Sequence, residues 1–199
     1  MNQVVAITGI NGGIGRALCL EFQRRGHEVI GLDLSEKSEL SVDYFQVDVT
    51  KIDEAHRVYE AISKKYNIKI WINNAGIAVL GPFNEVSSQD FQRVMDVNFN
   101  AVVEATRYWL PRLEENAGIV VNMSSAAGFI PSGDMASYVA SKHALIGFTR
   151  AIQLELDFSH AKASTCLVTP GFVKTDIMKV GTKYGLPEKL QKFATTPED

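Results

Sequence analysis

Short runs of aliphatic, β-branched residues alternate along this chain with longer stretches whose apolar positions recur every three or four residues. Val4-Val5-Ala6-Ile7 reads as a strand, and residues 14–22 carry the helical period after it. Further strands are expected at 27–33, 44–47, 68–72, 119–123 and 163–168. Helices are expected at 52–66, 88–113 and 136–158. Alternation of this kind implies a parallel sheet covered on both faces, and right-handed crossovers turn it into a doubly wound α/β fold of the Rossmann type. The stretch from Leu34 to Val42 is too short for a crossover helix, so one turn or a loop is expected there. No repeat, linker or low-complexity tract interrupts the pattern, which predicts a single domain over 1–199.

Composition narrows the function classes. With 46% hydrophobic and 22% charged residues among 199, the chain has the balance of an ordinary globular domain. Its 20 Lys and Arg against 23 Asp and Glu give a net charge of -3 without charge blocks. That argues against a nucleic-acid partner. No apolar run is long enough to span a bilayer, and residues 1–8 lack the basic start of a signal peptide. No membrane partner is expected, and the cytoplasm is the expected compartment. Cys19 and Cys166 stand alone, with no CxxC and no His at ligand spacing, so they read as core fillers and no metal is expected.

The first candidate chemistry lies between the first strand and helix, at Thr8-Gly9-Ile10-Asn11-Gly12-Gly13-Ile14-Gly15. Glycines there permit a tight turn and let the backbone approach a pyrophosphate resting on helix N-terminal amides. Asp33, at the end of the second strand, follows Gly15 by 18 residues. A carboxylate there is suited to the two hydroxyls of an adenosine ribose. It would repel the extra phosphate of NADP. No basic residue precedes Gly13 in the loop, Leu34-Ser35 follow Asp33, and Lys37 is four residues on, so NAD is favoured over NADP.

The loop spacing is T-G-x-x-x-G-x-G, on Thr8, Gly9, Gly13 and Gly15, and resembles the short-chain dehydrogenase/reductase family. Other segments resemble it in order: Asn73-Asn74-Ala75-Gly76, then Asn98, then Ser125 at 13 residues before Tyr138, then Tyr138-x-x-x-Lys142, then Pro170-Gly171-Phe172-Val173-Lys174-Thr175. The resemblance spans residues 4 to about 178. It implies an oxidoreductase acting on CH–OH groups, with Asn98, Ser125, Tyr138 and Lys142 catalytic. Tyr138 is the implied general acid or base and Ser125 orients the substrate oxygen. Lys142 lowers the phenol pKa and holds the nicotinamide ribose, and Asn98 anchors a proton-relay water. The implied cofactor residues are Gly9, Asn11, Gly13, Ile14, Gly15, Asp33, Asp48, Val49, Asn74, Ala75, Gly76, Tyr138, Lys142, Pro170, Gly171, Val173 and Thr175. Physical reasoning supports the central pair: residues 138 and 142 share one helix face, and a cation beside a phenol favours the phenolate.

The substrate wall is expected from 79–83, 126–135 and 172–189, including Phe129, Ile130, Met135, Phe172 and Met178. It is mainly apolar, which suits a moderately apolar alcohol or ketone. The resemblance implies helix pairing between subunits through about 91–113 and 136–158, whose apolar residues exceed one stripe, so a homodimer or homotetramer is expected. Family members continue past Pro197-Glu198-Asp199 into a further helix and strand, so either this relative is short or a tail is missing. The alternatives to an enzyme are a catalytically silent NAD(P)-sensing regulator and a structural subunit on the same fold.

Overall fold

In the computed structural model, which describes residues 2–171 and Val173, the chain builds one parallel sheet. The strands are β1 (Val4–Thr8), β2 (Glu28–Asp33), β3 (Asp43–Gln46), β4 (Ile68–Asn73), β5 (Ile119–Met123) and β6 (Ser164–Val168). Their spatial order is β3-β2-β1-β4-β5-β6, and every pairing is parallel. The chain leaves β1 toward β2 on one side and later returns to β4 on the other. The C-terminal ends of β1 and β4 therefore bound a crevice, the place where ligands bind in such sheets.

The helices are α1 (Gly13–Arg24), α2 (Ile52–Lys65), α3 (Ser88–Met95), α4 (Ala101–Glu114) and α5 (Ala136–Phe158). Two apolar layers hold them to the sheet. Ala6, Ile30, Leu32, Trp71 and Val120 pack with Tyr59 and Ile62 of α2 and Trp109 and Leu113 of α4. Trp71 and Trp109 stack with ring centroids 4.6 Å apart. On the opposite face, Val5, Ile7, Val29 and Ile72 pack with Cys19 of α1. The inner strands β1, β2, β4 and β5 thus bury both faces, which is why they read as largely apolar runs.

Three details depart from the pattern expected of the sequence. β2 begins at Glu28 because the His27 amide still closes the turn after α1, donating to the Phe22 carbonyl at 3.0 Å, and Glu28 is the first to donate across to Gln3, the residue before β1. The helix expected to end at residue 22 runs on to Arg24. The single helix expected over 88–113 is α3 and α4 joined by a π-helical segment, Asp96–Asn100, in which the Ala101 amide reaches back to the Asp96 carbonyl. As expected, no helix forms between Leu34 and Val42. Among the described residues no helix is long and apolar enough to cross a membrane.

Candidate active site

The turn after β1 is shaped by what its glycines exclude. Gly9 has φ +66°, and a Cβ there would stand 2.7 Å from the Ala75 Cα. A Cβ on Gly15 would stand 2.2 Å from the Gly9 carbonyl oxygen, so α1 can approach the turn this closely only through glycine. No side chain caps α1 and no acidic residue occupies its first turn, which leaves the positive end of the helix open to an anion.

Thr8, buried at the end of β1, stitches this turn to β4. Its Oγ1 accepts from the amides of Asn74 and Ala75 at 3.0 Å each and donates to the Ile72 carbonyl at 3.3 Å. The Asn74 side chain returns the tie, donating to the carbonyls of Thr8 and Gly9 at 3.0 Å each. Across the crevice, Asp33 is fixed at both oxygens. Oδ2 accepts from the Asn11 amide at 3.0 Å, and Oδ1 accepts from the Ser35 amide and hydroxyl at 3.1 Å each. Asp48 is braced by Thr50, whose amide and hydroxyl donate to Oδ1 at 3.0 and 2.6 Å.

Together these groups line a cleft of about 460 Å³, roomy enough for a large cofactor. Gly9, Asn11, Gly13, Ile14, Gly15, Asp33, Asp48, Val49, Asn74, Ala75 and Gly76, which sequence reasoning singled out, all lie on it. So do Thr50, Ile77, Ala78, Arg93 and Val97, which sequence reasoning missed. Ile77 and Ala78 merely continue the Asn74-Ala75-Gly76 turn, and Val97 adjoins Asn98. Arg93 is the least legible, an exposed cation one helical turn before Val97.

The four expected catalytic residues come from three separate elements. Tyr138 and Lys142 project from α5, Ser125 begins the short 3₁₀ turn after β5, and Asn98 lies in the π segment. Lys142 is 5% exposed, its ammonium donating to the Met123 carbonyl at 2.8 Å and lying 5.6 Å from the Tyr138 ring centroid. Desolvation pushes its pKa down to about 8. Desolvation also holds the Tyr138 phenol above its ordinary value of 10, and the Ser125 hydroxyl offsets part of that rise. The Ser125 oxygen accepts from the Ala127 amide at 3.2 Å, which leaves its hydrogen able to donate elsewhere.

Asn98 is wholly buried. Its Oδ1 accepts from the Ile77 amide at 2.9 Å, and its Nδ2 donates to the Ile77 carbonyl at 2.9 Å and to Ser141 Oγ at 3.0 Å. Both amide hydrogens are thus committed, so the water-anchoring role expected of Asn98 does not fall to its side-chain NH₂. Gly76 joins the catalytic group to the cleft: a Cβ there would lie 3.3 Å from Asn98 Oδ1 and 3.7 Å from Lys142 Nζ. Pro170 reaches the same corner, its carbonyl accepting from the Ala126 amide at 2.9 Å. Gly171 is exposed and Val173 half-buried; Thr175, Phe172 and Met178 lie outside the described residues. No group of His, Cys, Asp and Glu among the described residues could hold a metal ion.

The model of the short chain dehydrogenase family matches residues 3–183. An NADPH-dependent pterin aldehyde reductase of Arabidopsis thaliana is 35% identical over 189 residues, covering 88% of this chain and 77% of the relative. The ligand-free aldohexose dehydrogenase of Thermoplasma acidophilum superposes with a TM-score of 0.86 at 28% identity, over 99% of this chain and 83% of its own. A 4-hydroxyisoleucine dehydrogenase complexed with NADH gives 0.85 at 27% identity, over 100% of this chain and 87% of its own.

Proposed function

This chain belongs to the short-chain dehydrogenase/reductase family, and from that premise we propose that it transfers a hydride between NAD(H) and a secondary alcohol or ketone of moderately apolar character. The observation that carries the proposal is that Lys142 and Asn98 stand beside Gly76 of the cleft wall, with Tyr138 next to Lys142 and Ser125 next to Tyr138, from elements far apart in sequence. When bound, the nicotinamide supplies or takes up the hydride. Everything else falls to the protein. The Tyr138 hydroxyl gives its proton to the substrate oxygen in reduction and takes one from it in oxidation. Ser125 donates a hydrogen bond to that oxygen, using the hydrogen that its bond with Ala127 leaves over. The Lys142 ammonium, buried beside Gly76, holds the ribose hydroxyls and favours the phenolate.

The residues present suit such a cofactor. The uncapped start of α1 faces the cleft, ready for a pyrophosphate, and Asp33 faces it from the end of β2. NAD is the reading we favour over NADP because the Asp33 carboxylate is held in place by Asn11 and Ser35. A 2′-phosphate there would meet a fixed negative charge. The one cation among the described lining residues, Arg93, lies with Ile77, Ala78 and Val97, on elements after β4. The relatives span both cofactors, one NADPH-dependent and one bound to NADH. Exposed Phe83, Phe129 and Ile130 support an apolar substrate. Leu154 and Phe158, exposed on α5, support a homodimer through the α4 and α5 faces.

Titrating the protein with NADH and NADPH by nicotinamide fluorescence, then assaying a panel of alcohols and ketones, tests the proposal. Tighter NADH binding and turnover of an apolar member are expected. Binding without turnover across the panel would make the chain a cofactor-sensing regulator, and no binding would leave a structural subunit.

A further inference from the structure

Ser141 is fully buried where α5 meets the π segment. Its hydroxyl donates to the Tyr138 carbonyl at 2.7 Å and accepts from Asn98 Nδ2 at 3.0 Å. A serine in a helix commonly bonds back to a carbonyl of its own turn. The second bond is different, because it crosses to another element and continues. Asn98 clasps both backbone groups of Ile77 at 2.9 Å, in the turn that forms the cleft wall. One hydroxyl thus ties the turn of α5 that carries Tyr138 to the wall that carries Gly76. Lys142, the next residue, reaches that same wall, its Nζ standing 3.7 Å from where a Gly76 Cβ would be.

We propose that Ser141 is a positioning residue: its hydroxyl fixes how far the Tyr138–Lys142 turn stands from Asn98 and the Ile77 turn, and so where phenol and ammonium lie relative to the cleft. The proposal rests on the roles given above to Tyr138 and Lys142. The chemistry of the amide makes the tie stiff. Asn98 Nδ2 has two hydrogens, one spent on Ile77 and one on Ser141, and neither has water to fall back on. Without the Ser141 oxygen, the amide must turn to find another acceptor, and its hold on Ile77 goes with it.

The test compares Ser141→Ala and Ser141→Thr with the parent protein. Amide hydrogen exchange at Ile77 reads the tie without any catalysis. In Ser141→Ala it should quicken roughly tenfold, while Ala6 and Ile7 in β1 stay protected. Turnover with NADH should lose about tenfold in kcat, with the NADH dissociation constant within about twofold of the parent. The pH midpoint of kcat/KM should move in Ser141→Ala, and Ser141→Thr should return all three readings toward the parent. Unchanged Ile77 exchange in folded Ser141→Ala overturns the proposal. So does a kcat loss matched by an equal loss of NADH affinity and thermal stability, which marks a merely structural role. If the parent turns over nothing in the panel, the catalytic reading fails while Ile77 exchange still decides the tie. Should Ser141→Ala not fold, Ser141→Cys keeps the volume with a weak hydrogen-bonding atom, and the same readings apply.

Discussion

Replacing Lys142 by Met keeps the length of the side chain and removes a charge that the fold buries at a cost. The ammonium is 5% exposed, and its pKa falls from 10.5 to about 8 through desolvation. At 1.36 kcal/mol per pH unit, that gap corresponds to roughly 3 kcal/mol. The sign follows from which state holds the proton. Above 10.5 the amine is neutral in both states and nothing is lost. Between 10.5 and about 8 the unfolded chain takes up a proton that the folded chain does not, so the folded state loses stability as pH falls. Below about 8 the whole cost applies. Against this stands the bond to the Met123 carbonyl, worth about 1 kcal/mol. Lys142→Met should therefore be more stable than the parent by about 2 kcal/mol at pH 7, a rise of roughly 4–8 °C in Tm. The advantage should shrink through the window from 8 to 10.5 and reverse above it, while cofactor-dependent turnover is lost at every pH. Urea unfolding of both proteins at pH 7 and at intervals up to pH 10.5 measures it. A variant less stable at pH 7, or a difference that ignores pH, would refute the reasoning.

Four further outcomes are expected. Tyr138→Phe should bind NADH as the parent does and lose roughly 10²–10⁴-fold in kcat, so near-normal turnover would remove Tyr138 from the proton path. Asp33→Ala should weaken NADH by roughly 10–100-fold and raise the NADPH to NADH ratio of kcat/KM, and a parent that already prefers NADPH would overturn the reading of Asp33. Gly15→Ala puts a methyl 2.2 Å from the Gly9 carbonyl oxygen. It should cost about 1–3 kcal/mol in unfolding experiments and cut NADH affinity in fluorescence titration. Light scattering should report twice the 21.9 kDa chain mass at micromolar concentration, and a mass near one chain would dismiss the dimer.

Much of this was legible because one period sets the strands and another the helices. All six strands are found within a residue of where the apolar runs put them, and α5 spans the residues expected. The glycine loop was readable too, since glycine at residues 9 and 15 answers a steric need that no other side chain meets. What escaped notice depends on partners remote in sequence. Asn98 and Ser141 look like solvated polar residues on helices, and only the folded chain shows each satisfied by the other across 43 positions. The burial of Lys142 was equally hidden. Its i,i+4 relation to Tyr138 set the shared face, but whether that face met water or the wall at Gly76 is a tertiary matter. Arg93 on the cleft was lost in the same way, as one more charge on the exposed side of α3.

The π segment gives the long arm between β4 and β5 a second consequence. An α-helix turns 100° per residue, so one residue looped into a wider turn offsets everything before it against everything after it by about that angle. Arg93 and Val97, on the cleft, are thereby aimed independently of Ala105, Trp109 and Leu113, which are locked into the aromatic layer against Trp71. Deleting one residue from Asp96–Asn100 would leave a straighter helix that cannot serve both faces at once: either the cleft wall or the aromatic layer would be misdirected. The segment works as a swivel mount, setting the cleft-side half of the arm at an angle of its own against the half on which the sheet depends.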